Sequence, residues 1–176
     1  MTYNFTPFPV LETERLTLRA LTLEDAKPLF ALRSNKSINK FIERKVPRNL
    51  SEIRAFIEKI AISIENNKRV FWVLESKNSN ELLGSISLSY FDFEDNYAEI
   101  GYEIHPDYQD RGYMTEALNE VVKFGFDNLE LKTIEAFTHQ NNNASIALLE
   151  KNNFVSFPER RDEGFENNRS WMIEKN

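Results

Sequence analysis

Tyr97–Ala117 reads YAEIGYEIHPDYQDRGYMTEA, and the fold turns on how it divides. Tyr97 to Ile104 is apolar, aromatic and β-rich, which predicts a strand. His105 to Arg111 is polar and carries Pro106, which predicts a loop. From Gly112 onward, Met114, Ala117, Leu118, Val121 and Gly125 recur at helical spacing, which predicts an amphipathic helix. A strand that passes through a glycine-containing loop into a helix leaves backbone N–H groups unpaired at the helix start. Together with the helix dipole they make an anion site. Gly112 permits close backbone approach and Arg111 adds positive charge, so a phosphate-bearing cofactor is the expected occupant.

The rest of the chain builds a sheet around this stretch. Val70–Glu75 and Leu82–Tyr90 read as strands, and the turns at Ser76–Asn80 and Asp92–Asn96 are too short for crossover helices. With Tyr97–Ile104 they should form an antiparallel meander. Thr133–Thr138 follows the Gly112 helix, so it should lie parallel to the Tyr97 strand. Thr13–Leu21 alternates, with Leu16 and Leu18 on one face, and predicts another half-buried strand. Phe154–Arg161 and Arg169–Ile173 read as closing strands. Two helices precede the meander. One is capped by Thr22 and constrained by Pro28. The other starts at a capping signal in Asn49–Glu52 and carries the stripe Ile53, Phe56, Ile57, Ile60, Ile64. Lys36–Leu50 between them reads as irregular, Ser145–Lys151 as a short helix, and Met1–Val10 as an arm docked by Phe5 or Phe8. The expectation is one domain, residues 1–176, of α/β class: a mixed, mostly antiparallel sheet of about seven strands with helices on both faces.

Composition narrows the function. The chain has 176 residues and a net charge of −6, from 22 Lys and Arg against 28 Asp and Glu. That argues against general nucleic-acid binding, which needs a basic face. It suits an amine partner. There is no cysteine, so disulfides, a cysteine acyl-enzyme and a thiolate metal site are excluded, and a cytoplasmic location fits. His105 and His139 form no ligand pattern, so no metal is expected. Met1–Val10 lacks the marks of an export signal, and no apolar run is long enough to suggest a membrane span.

The spelling of four segments is more specific. Gln109-Asp110-Arg111-Gly112-Tyr113-Met114 resembles the Q/R-x-x-G-x-G/A loop of the GNAT N-acetyltransferases. Met114 departs from the usual Gly or Ala. The longer string EIGYEIHPDYQDRGYMTEA is similar to the RimJ/RimL-like branch, which acetylates ribosomal-protein N-termini. TERLTLRALTLEDA resembles the first strand and helix of the same family, ELLGSISL its third strand, and NNNASIALLEKNNF its N-x-A-S-x-x-x-L-E-K-x-G-F segment. There Asn153 replaces Gly, a change that a left-handed position tolerates. The resemblance spans about residues 11–173.

It implies a GNAT-like sheet in which the Tyr97 strand is bulged and splays from its parallel neighbour at the cofactor gap. It also implies acetyl transfer from acetyl-CoA to a primary amine by direct attack in a ternary complex. The implied cofactor contacts are Ile104 and His105 at the gap, Gln109, Asp110, Arg111, Gly112, Tyr113, Met114 and Thr115 in the loop, and Asn142. For the amine's proton, Glu99 and Glu103 share a strand face with Gly101 between them; the resemblance favours Glu99 as the catalytic carboxylate, with Glu103 or water alone as the other routes. Ser145 is the implied donor to the leaving thiolate, with helix capping as its other reading. The acceptor is a protein N-terminal amine or a small-molecule amine such as a polyamine, an amino acid or an antibiotic. A non-catalytic acyl-CoA-binding module and a nucleotide-binding α/β protein are further alternatives. The latter lacks both glycine-rich nucleotide motifs. The closing strands leave monomer and homodimer open.

Overall fold

The computed structural model describes residues 3–175. A single eight-stranded sheet runs through it in the order β1-β2-β3-β4-β5-β6-β8-β7. The strands are β1 (Leu11–Glu12), β2 (Leu16–Ala20), β3 (Arg69–Ser76), β4 (Leu82–Asp92), β5 (Tyr97–Ile104), β6 (Thr133–His139), β7 (Val155–Phe157) and β8 (Asn168–Glu174). The helices are α1 (Ala26–Ser34), α2 (Lys36–Asn39), α3 (Leu50–Glu65), α4 (Tyr113–Asp127) and α5 (Asn143–Lys151). Every neighbouring pair is antiparallel except β5 with β6.

The meander β3-β4-β5 and the parallel β5–β6 pair form as the connection lengths require. The eighth strand is β1, a two-residue edge too short to leave a periodic signal. Phe154–Arg161 delivers only three paired residues, because Pro158 and the polar run after it leave the sheet. Lys36–Leu50 is not wholly irregular. Asn35 accepts the N–H groups of Ser37 and Ile38, and Ile38 is buried against α1, so one turn of helix, α2, forms there.

Strand alternation puts helices on both faces. Leu16, Leu18, Val70, Trp72, Leu74, Ile86, Leu88, Ala98 and Ile100 pack under α4 and the N-terminal arm. Phe5 is buried there, and Trp72 Nε1 donates to the Pro9 carbonyl at 2.6 Å. Phe71 and Val73 point the other way, onto Ile60 of α3. That second face is covered over β3, and Glu103 of β5 lies under Arg33 of α1 and Arg44. Toward the β5–β6 rungs it carries Ser89, Glu99, Gly101 and Glu135.

Two irregularities shape this open region. β5 and β6 pair over three rungs only, Tyr97 with Thr133, Ala98 with Ile134 and Glu99 with Glu135; beyond them the strands part. The bulge lies elsewhere than the resemblance implied. It is in β4, where the register passes from Ser89–Glu99 to Asp92–Tyr97 and Tyr90 takes a left-handed φ of 52°. An extra residue bends its own strand, and this one bends β4 beside Glu99. Gly84, level with Ile104, allows β4 to close on the far end of β5: a Cβ there would fall 2.3 Å from the Glu103 carbonyl oxygen.

Candidate active site

A cleft of about 1150 Å³ opens where β5 and β6 separate. Its floor is the diverging strands, its far end is the start of α4, and its walls are the α2 loop and the β7–β8 loop. The Phe41 ring reaches over from the α2 loop to His139 at the end of β6, with centroids 5.4 Å apart.

The gap is polar on the β5 side because of strand parity. The His105 N–H donates to the Leu83 carbonyl at 2.8 Å, so it is spent on β4. Alternation in an antiparallel pair then turns the backbone groups of Tyr102 and Ile104 toward the missing partner. His105 itself does not line the cleft; its Nδ1 accepts from Asp107 N–H and starts the short turn Pro106–Tyr108. The two gap residues implied by the resemblance therefore differ, with Ile104 facing the gap and His105 held against β4.

The loop after β5 turns on two left-handed residues, Asp110 at φ 58° and Gly112 at φ 80°. Gln109 Nε2 ties it to the Ile104 carbonyl at 3.3 Å. No side chain caps α4, and its first helical bond runs from Glu116 N–H to the Gly112 carbonyl. Among the described residues, the N–H groups of Tyr113, Met114 and Thr115 thus have no protein acceptor, at the positive end of a helix that borders the cleft. That donor set fits a pyrophosphate. A Cβ on Gly112 would meet Arg15 Nη2 at 3.2 Å, besides straining the backbone. Arg15 stacks over the Tyr113 ring at 4.2 Å and bonds Glu116 at 2.8 Å, so it braces this helix start. Arg111 lies outside the cleft lining, with its guanidinium 5.9 Å from the Tyr108 ring.

At α5, Asn142 is the N-cap and accepts the Ser145 N–H at 3.2 Å. This frees the Ser145 side chain from capping. Its Oγ lies 2.8 Å from the hydroxyl of Tyr102. Burial pushes the Tyr102 phenol up to about 12, so it stays protonated at neutral pH. Sequence reasoning passed over Tyr102. Its position one residue from Glu103, on the opposite face of β5, was the available signal.

Glu99 and Glu103 share a face but not an environment. Glu103 is buried and clamped by Arg33 at 3.2 Å and Arg44 at 2.6 Å. Glu99 lines the cleft, and burial, reinforced by the nearby Glu135 and Asp162, pushes its carboxyl up to about 7.

Residues 15–155 match the acetyltransferase (GNAT) domain. The chain is 33% identical over 147 residues to the uncharacterized N-acetyltransferase YoaA of Bacillus subtilis (strain 168), covering 84% of this chain and 83% of that protein. A provisionally named ribosomal-protein-serine acetyltransferase from Vibrio cholerae shares the fold with a TM-score of 0.84 at 24% identity, over 99% of this chain and 100% of that one. Spermidine N-acetyltransferase from Vibrio cholerae, in complex with CoA and spermine, does so with a TM-score of 0.78 at 23% identity, over 92% and 96%. The chain belongs to the GNAT family of acetyl-CoA-dependent N-acetyltransferases, and a sheet parted beside an uncapped helix start fits that class.

Proposed function

We propose that this enzyme acetylates a protein N-terminal amine, with Glu99 receiving the amine's proton and Ser145 supplying one to the leaving group. The observation that carries the chemistry is the parting of β5 and β6 immediately after Glu99, which puts one lifted carboxylate at the mouth of a gap where the backbone of Tyr102 and Ile104 has no partner in β6. The N-terminal acceptor is supported by the resemblance of Glu99–Ala117 to the RimJ/RimL-like branch and by the fold shared with a ribosomal-protein acetyltransferase.

Bound acetyl-CoA supplies an acetyl group activated as a thioester. Gly112 and the N–H groups of Tyr113, Met114 and Thr115 would hold its pyrophosphate, with Gln109 and Asp110 shaping the turn. The backbone of Tyr102 and Ile104 would pair with its arm in the gap, and Asn142 caps α5 beside it. An acceptor amine is mostly cationic at neutral pH, so it must lose a proton before or during attack. Glu99 attracts the cation and takes that proton, directly or through water. Glu103 is excluded from this task by its two arginines. Ser145 Oγ holds a proton at the other end of the gap, and the Tyr102 hydroxyl behind it can replace what Ser145 gives.

The test is release of free thiol from acetyl-CoA with N-terminal peptides, polyamines and amino acids as separate acceptors. Turnover with peptides above the others supports the proposal. Preference for a polyamine or amino acid overturns the acceptor. Tight CoA binding with no turnover on any acceptor would make the protein a binding module.

A further inference from the structure

Glu135 needs an explanation that a strand does not provide. It sits within TIEAFTH, has no solvent exposure, and carries a carboxylate into the middle of the sheet. An unpaired charge there would be very costly. Its neighbours supply the pairing. The Ser170 hydroxyl donates to Oε1, the Tyr97 hydroxyl donates to Oε2, and Arg160 Nε lies 3.4 Å from Oε1. Each hydroxyl has a single hydrogen, and both go to Glu135.

Its partner across the parallel rung is Glu99. Glu99 receives little: the Tyr97 hydroxyl is 3.4 Å away, with its hydrogen already directed to Glu135. We propose that Glu135 is a positioning residue for the transfer: held by Tyr97, Ser170 and Arg160, it stands beside Glu99 on the last rung before the gap, takes the donors that the two could share, and leaves Glu99 to hold the acceptor's proton. Two adjacent carboxylates do not ionise independently, and donors favour the charged form of the one they reach. The other groups facing Glu99 are Tyr97 on its own strand, Tyr90 at the β4 bulge, and Arg160 and Asp162 on the β7–β8 loop. Glu103, farther along β5, is paired with Arg33 and Arg44. Burial is the larger cause of the raised proton affinity of Glu99; Glu135 and Asp162 oppose its charge further, while Tyr97 and Arg160 favour it.

The proposal rests on Glu99 as proton acceptor, and its test separates the two. The side-chain carboxyl of Glu99 is titrated by carbon NMR in cofactor-free protein labelled at glutamate, with assignment by Glu99→Gln. Acceptor kcat/KM is measured against pH on the same variants. Glu135→Gln should lower the Glu99 midpoint by about one pH unit and move the acid limb of kcat/KM the same way. Arg160→Gln, on a half-exposed loop side chain, should move both upward and does not depend on a core substitution. A Glu99→Gln profile identical to wild type overturns Glu99 as acceptor, and with it the positioning role, wherever the midpoints lie. A Glu99→Gln defect with unmoved midpoints in Glu135→Gln or, if that variant does not fold, in Arg160→Gln overturns the role of Glu135 alone.

Discussion

Glu99 and Glu103 stand two alternations apart on one face of one strand, and they have opposite surroundings. Glu103 lies under α1 and the α2 loop, which bring Arg33 and Arg44 to it. Glu99 lies past the end of that cover, beside a second carboxylate and the open cleft. The same side chain is paired with two arginines in one place and, in the mechanism proposed above, takes the acceptor's proton in the other. The difference teaches that the helical layer, not the strand, sets the surroundings: where α1 and the α2 loop end, the open cleft begins.

The largest expected effect comes from breaking the structural half of this pair. Glu103→Gln leaves two poorly exposed guanidinium groups without their carboxylate, and burial already opposes the charge on Arg33. Chemical denaturation should show a loss of about 3–5 kcal/mol. The acid limb of acceptor kcat/KM in the folded protein should stay in place; its displacement would mean that Glu103 shares the proton.

The catalytic half is broken by Glu99→Gln. It should lower acceptor kcat/KM at neutral pH by about 100-fold, with acetyl-CoA affinity nearly unchanged, because the Gly112 turn lies at the other end of the cleft. The defect should shrink as pH rises and more of the amine is already neutral. Superimposable pH profiles would return Glu99 to the status of a solvated strand residue.

Ser145→Ala sharpens the comparison from the leaving-group side. One missing hydroxyl donor should remove about 1–3 kcal/mol of transition-state stabilisation. The loss should be seen in kcat where chemistry limits, with little change in cofactor affinity. Tyr102→Phe should act in the same direction, and the double variant should lose less than the sum of the two, because the hydroxyls work in series. Additive losses would mean that they act separately.

The smallest effect is on stability against pH. Folding lifts the Glu99 carboxyl from 4.5 to about 7, so the folded state binds that proton more tightly than the unfolded chain. The resulting stabilisation is full below about 4.5 and is lost as pH rises through about 7. Glu99→Gln should therefore raise the melting temperature relative to wild type more at pH 8 than at pH 4. An equal difference at both pH values would show that the Glu99 carboxyl is not lifted.

Much of the site was legible as local pattern. Asn153 adopts the left-handed φ of 65° that its place at the end of α5 requires, and the capping signal at Asn49 sits at the start of α3; Thr22 starts a 3-10 turn, Leu23–Asp25, that leads into α1. Ile38 and Glu135 were not legible. A single turn of helix has no periodicity to read, and one glutamate in an apolar strand gives no sign of its partners.

The sequence by itself determined the elements and their order: periodicity sets strand or helix, short turns force the antiparallel meander, a helical crossover forces the parallel pair, and Gly112 before α4 leaves a helix start without a side-chain cap. These depend on interactions within a few residues. Which of two identical side chains is neutralised depends on groups far away in the chain. Arg33 and Arg44 are 70 and 59 positions from Glu103, and Ser170 is 35 positions from Glu135. Only the tertiary structure decided those pairings, because the energy of a charge is set by the dielectric and the donors around it, and both are assembled by packing.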